Sequence, residues 1–132
     1  MLDPCVIDRV VAAFRSGDWD MATNVMERTF PRGVSVEVFP LDLLRRAISD
    51  AGDDADREHV TPWFYRNREK LRINSVVHRP DLSAGRLVVD TQEDFEVMER
   101  LLEALERPHA EYRVEDVVKL RDGLDTELET SR

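Results

Sequence analysis

Three short constellations in this 132-residue chain carry side chains able to do chemistry. The first is Leu87-Val88-Val89-Asp90-Thr91. Ligands of open α/β sheets bind outside the carboxyl ends of strands, so an aspartate closing an apolar run points into such a crevice. Its carboxylate suits Mg²⁺, which takes a few carboxylates, waters and substrate phosphates. Asp90 equally suits a plainer role beside Thr91, as an acidic residue near a helix N-terminus. The spacing leaves both roles open.

The second constellation is Arg28-Thr29-Phe30-Pro31-Arg32-Gly33, followed by Glu37. Guanidinium groups on a loop fork onto carboxylate or phosphate, and Glu37, set between Val36 and Val38, can accept sugar hydroxyls. The same residues also suit an exposed polar loop and the solvent face of an edge strand. The third is Asp56-Arg57-Glu58-His59-Val60-Thr61-Pro62-Trp63. His59 can serve as an acid–base group or a hydrogen-bond donor, or as a structural histidine beside its acidic neighbours. No serine or cysteine partner for a triad accompanies it. His78 and His109 stand isolated in the sequence, and no His-x-x-x-His or Cys-x-x-Cys spacing offers a zinc site. The basic residues Arg66, Arg68, Lys70 and Arg72 read as a solvated helix end, with an anion site as the alternative.

Other chemistry is excluded. Neither Gly-x-Gly-x-x-Gly nor Gly-x-x-x-x-Gly-Lys-Ser/Thr occurs, and with 5 glycines in the chain no backbone cradle for a triphosphate is available within it. A net charge of −9 repels nucleic-acid phosphates, so a nucleic-acid polymer is not an expected partner. No apolar run reaches the roughly 18–20 residues of a membrane span, and Met1-Leu2-Asp3-Pro4 lacks the basic and apolar regions of a secretory signal. The lone cysteine, Cys5, fits a reducing compartment, so a cytoplasmic location is expected.

Asp3 and Pro4 cap and open a helix ending near residue 16, with Val6, Val10, Val11 and Phe14 on its apolar face. A short strand is expected over Asp20 to Asn24. Residues 25–33 read as an irregular loop, and Val34, Val36 and Val38 alternate as a strand. A helix after Pro40 should bury Leu41, Leu44 and Ile48. A charged break over 52–56 precedes a helix from about Arg57 to Asn67. Ile73, Val76 and Val77 suggest a strand, and Arg86 to Val89 another, ending at Asp90. Thr91 with Asp94 forms a capping box for a helix carrying Phe95, Met98, Leu101, Leu102 and Leu105. A last helix from Val114 should stop at Gly123, leaving residues 125–132 as a flexible tail after a domain over 1–124. This order implies an α/β layer fold whose sheet is thin for its helices.

Taken together, Arg28–Phe39, Arg57–Pro62, Asp81-Leu82-Ser83 and Val89–Asp94 resemble the cytidylyltransferase family in order and spacing. The nearest branch is the spore-coat polysaccharide biosynthesis type, related to the acylneuraminate and ketodeoxyoctulosonate cytidylyltransferases. The resemblance spans about Asp3 to Leu105. It implies a Rossmann-like nucleotidyltransferase domain of the GT-A-like kind, and a Mg²⁺-dependent reaction joining a sugar acid or other sugar to CMP from CTP with release of pyrophosphate. It also implies a homodimer. It assigns metal binding to Asp90, and the sugar side of the cleft or its dimer wall to Arg28, Arg32, Glu37 and His59.

Two departures from the family pattern matter. The family opens with a basic, glycine-containing loop for CTP, then an Asp-x-Pro-Leu-Ile-Asp-Pro segment whose first aspartate binds metal. This chain enters that segment at Leu2-Asp3-Pro4, and Gln92 stands where the family has proline. The expectation is therefore a partial domain lacking its N-terminal nucleotide-binding half, inactive alone or active with a partner supplying that half. The alternative is a non-catalytic dimerisation or interaction module derived from the family.

Overall fold

The computed structural model describes residues 3–50 and 61–130. Its elements are α1 (Pro4–Arg15), β1 (Met21–Thr23), β2 (Glu37–Val38), α2 (Leu41–Asp50), α3 (Thr61–Arg66), β3 (Ile73–Ser75), α4 (Gln92–Glu103) and α5 (Val114–Thr130), with short 3₁₀ turns at Arg68–Lys70 and His109–Glu111. The strands form one sheet in the order β2-β1-β3. β1 runs antiparallel to β2 and parallel to β3.

The sheet divides the molecule into layers, and the alternation of β1 shows how. Met21 packs with Ala47, Trp63 and Phe64 from α2 and α3. Ala22 faces the opposite way, into the cluster of Val6, Val10, Leu101, Val117 and Val118 contributed by α1, α4 and α5. Successive strand residues point to opposite faces, so Thr23 lies on the α2–α3 side with Met21. The α/β class expected from the sequence holds, and the sheet is indeed thin, with strands of two or three residues.

Caps behave largely as the sequence indicates. The Asp3 carboxylate accepts from Cys5 N at 2.8 Å at the start of α1. Its other oxygen accepts from Val114 N at 3.1 Å, so one buried carboxylate serves the N-termini of both α1 and α5. Thr91 and Asp94 form the expected capping box on α4. Pro62 sits in the first turn of α3, where its missing N–H costs nothing.

Four expectations need correction. Arg86 to Val89 is not a strand: Arg86 makes an isolated parallel bridge to Arg32 outside the sheet, and residues 87–90 form no ladder. Asp90 therefore does not end a strand. The valine alternation yields a ladder only at Glu37–Val38, because the buried Asn24 side chain takes the neighbouring backbone groups. Asn24 donates to Val34 O at 2.7 Å and accepts from Val36 N at 2.8 Å. Helix α2 buries Ala47 and half-buries Leu43 and Leu44, while Leu41 and Ile48 are exposed; of the expected face only Leu44 turns partly inward, and Leu43 and Ala47 pack in the core cluster of Met21, Trp63 and Phe64. Gly123 does not end the last helix, which continues to Thr130. The charged break over 52–56 and the start of the helix from Arg57 lie outside the described residues.

Candidate functional site

The register of the sheet assembles a polar row that no single segment contains. Thr23 pairs with Glu37 on one side and Ser75 on the other. Residues directly opposite each other in paired strands project to the same face, so all three side chains stand on the α2–α3 side of the sheet. They lie at the carboxyl ends of the parallel strands β1 and β3, where open α/β sheets bind ligands.

Tyr65 of α3 closes over this row. Its hydroxyl lies 3.1 Å from Thr23 Oγ1 and hydrogen-bonds Glu37 Oε1. Thr23 Oγ1 also accepts from Val25 N at 3.0 Å. The phenol is pushed up well above its ordinary value, first by burial and then by the Glu37 carboxylate, while the positive charge of Arg28 works in the opposite direction. Ser75 Oγ is buried and has no hydrogen-bond partner among the described residues, an unmet polar atom at the end of the row.

The site residues expected from the sequence divide between this row and its surroundings. Glu37 is half-buried within it. Arg28 is exposed but close enough for its field to act on Tyr65. Arg32 is exposed on the same loop, whose backbone is tied to residues 85–87: Arg32 N donates to Gly85 O at 3.0 Å, and Leu87 N to Arg32 O at 2.7 Å. Gly33, at φ 98°, sits against the Leu87 carbonyl. Among the described residues neither arginine is held by a carboxylate. His59 lies outside the described residues.

Asp90 is held elsewhere. Its side chain is 70% exposed and accepts from Arg86 at 3.1 Å. Arg86 binds Asp94 more fully, through Nε at 3.1 Å and Nη2 at 2.9 Å. Asp94 also accepts from the backbone of Asp90 and Thr91, each at 3.0 Å. The Arg86 guanidinium and these amides hold the Asp94 carboxyl well below the usual carboxylate range. So Asp90 helps frame the α4 cap, and no trio of His, Cys, Asp or Glu among the described residues is arranged to hold a metal. A single exposed carboxylate beside an arginine does not by itself fit Mg²⁺.

His78 is not isolated, as its sequence position suggests. It is buried, with Nδ1 2.7 Å from Pro80 O and Nε2 2.8 Å from Glu115 Oε1. It also packs edge-on to Phe30, and its role is to join the segment after β3 to α5. A groove of about 610 Å³ lies away from the polar row, between the end of α4 and α5, where Arg107 is paired with Asp116. Sequence reasoning missed Thr23, Tyr65 and Ser75. For Thr23 and Ser75 the available signal was parity: each sits two positions after an apolar residue of its own strand that faces the α2–α3 layer; Tyr65, on helix α3, offered none.

No protein-family model matches this chain. The uncharacterized protein MJ1063 of Methanocaldococcus jannaschii is 30% identical over 94 residues, covering 70% of this chain and 37% of that protein. A cytidylyltransferase from Leptospira borgpetersenii superposes with a TM-score of 0.83 at 28% identity, covering 95% of this chain and 52% of that one. The chain thus spans about half the length of the solved structure and a little over a third of the curated relative. Its fold is similar to that of a cytidylyltransferase, a nucleotidyltransferase-like architecture. No described helix is long and apolar enough to cross a membrane.

Proposed function

We propose that the chain forms the sugar side of a CMP-sugar-forming cytidylyltransferase of the spore-coat polysaccharide type, in a partial Rossmann-like, GT-A-like domain. The reaction joins CTP and a sugar or sugar acid to give CMP-sugar and pyrophosphate. The likeness to a cytidylyltransferase over 95% of this chain is the observation that carries the reading. The polar row supports it, because it stands at the strand ends where such sheets bind ligands.

In this reading Glu37 accepts a sugar hydroxyl. Arg28 and Arg32 offer guanidinium groups to an anionic substituent, and His59 is assigned to sugar binding on the resemblance to the family alone. The CTP-binding loop belongs to protein outside this sequence, in the same polypeptide or in a partner. Mg²⁺ is the proposed cofactor, with Asp90 contributing one carboxylate. The described residues do not complete a cation site, so no step of the reaction is assigned to the ion.

Pyrophosphate release from CTP and a sugar panel, measured for this chain with and without the N-terminal half of a full-length relative, tests the reading. Turnover is expected only with the half added. Robust release by the chain alone would refute the dependence, and none under either condition would refute the enzyme. A second reading, a dimerisation or interaction module, rests on the exposed Leu41 and Ile48 of α2 and Phe95 and Leu102 of α4. A monodisperse monomer that binds no hydrophobic dye would count against it.

A further inference from the structure

We propose that Tyr65 is a positioning residue: with Thr23 it forms a one-way hydrogen-bond chain that fixes the Glu37 carboxylate as an acceptor for a hydroxyl donor on the bound ligand. Its functional part rests on the sugar-binding reading above.

The direction follows from counting hydrogens. A carboxylate only accepts, and a phenol has one hydrogen to give. Tyr65 therefore donates to Glu37 Oε1, and the 3.1 Å contact between Tyr65 and Thr23 Oγ1 must be donated by Thr23. Thr23 in turn accepts from Val25 N at 3.0 Å. The chain runs from the Val25 amide through both hydroxyls to the carboxylate, and aligned hydrogen bonds polarise one another. Thr23 is fully buried and cannot turn to water for another partner.

The consequence for the ligand is specific. Glu37 Oε1 is committed to Tyr65, and the Glu37 carboxylate makes no other hydrogen bond among the described residues. Its remaining oxygen is left for a donor, and its charge turns away anions. A hydroxyl fits that oxygen, while an anionic substituent on the same ligand falls to Arg28. Tyr65 touches neither, and sets only where the accepting oxygen points.

The chain has 2 tyrosines. In a Tyr112→Phe background, ultraviolet absorbance at alkaline pH follows Tyr65 alone. Ionisation above that of free tyrosine is expected, and Glu37→Gln should bring it down. Free-tyrosine behaviour with no response to Glu37→Gln overturns the chain of hydrogen bonds whatever the substrate is. In the complemented turnover assay, Tyr65→Phe keeps the ring and loses the donor. It should raise KM for the sugar about tenfold, the equivalent of one hydrogen bond to a charged group. The expected change in kcat is less than about twofold and KM for CTP should stay constant. Thr23→Val should move sugar KM the same way by less. An unchanged sugar KM in Tyr65→Phe overturns the positioning role and leaves the proposed function standing. Failure of every sugar to give CMP-sugar overturns both.

Discussion

Gly33 joins the arginine-bearing loop to the segment that leads to Asp90, and replacing it should separate the two. Its φ is 98°, and a Cβ built there would lie 2.2 Å from the Leu87 carbonyl oxygen. That oxygen belongs to backbone, so it cannot swing aside as a flexible side chain would. A left-handed backbone costs a non-glycine residue about 1–2 kcal/mol. The clash adds loss of one or both bonds that flank it, Arg32 N to Gly85 O and Leu87 N to Arg32 O, each worth about 1 kcal/mol. Gly33→Ala should therefore destabilise the chain by about 2–4 kcal/mol, a large share of the roughly 5–15 kcal/mol of an ordinary domain. Urea unfolding followed by circular dichroism reads this as a midpoint lowered by more than about 1 M. Gly123→Ala is the control. It lies inside α5 with nothing within 4 Å of a new Cβ, so alanine should stabilise by about 0.5–1 kcal/mol. A Gly33→Ala midpoint within about 0.2 M of the parent would refute the close-approach argument.

Asn24→Leu preserves bulk but strips Val34 O and Val36 N of their partner; a loss of about 2–4 kcal/mol is expected in thermal or urea unfolding. Asp94→Asn should weaken the chain at neutral pH and less so in acid. The folded carboxyl is held below its ordinary value, so its contribution is present above the unfolded carboxylate range and fades as pH falls toward the folded value. Urea midpoints of parent and variant should converge on acidification, and a constant gap would contradict the assignment. Asp90→Ala should leave the unfolding midpoint within about 0.5 kcal/mol of the parent, since its pair with Arg86 is exposed. In the complemented assay, unchanged turnover for Asp90→Ala would remove Asp90 from the proposed cation site, and a loss of turnover without loss of stability would keep it there.

Local signals carried the fold further than they carried the site. Asp3-Pro4 and Thr91-Asp94 announced two helix starts because capping is settled within one turn. The second bond of Asp3, to Val114 N, joins positions 111 residues apart and has no sequence signature. Tertiary competition decided the other cases. Asn24 captured the backbone groups that valine alternation would have given to a ladder. On α2 the stripe of Leu43 and Ala47 won burial over that of Leu41 and Ile48, though both satisfy helical spacing. Gly123 stayed helical because an interior glycine costs only about 1 kcal/mol.

The site was legible only where its residues cluster in sequence. Arg28, Arg32 and Asp90 drew notice as charged residues in distinctive segments, yet Asp90 is taken up in framing the α4 cap with Arg86 and Asp94. Glu37 was legible as a carboxylate, but not its fixed geometry, which needs Thr23 and Tyr65 at once. A row across a sheet is set by register, and register joins positions 23, 37 and 75 without a motif. A slip of one residue between β1 and β2 would turn Glu37 toward α1 and break its bond to Tyr65. The buried Asn24 clamp stands next to that ladder and pins Val34 and Val36. Asn24 therefore guards the placement of Glu37 as well as the stability of the strand. Any variant that frees the clamp yet still folds should lose the Glu37 effect on Tyr65 ionisation along with it.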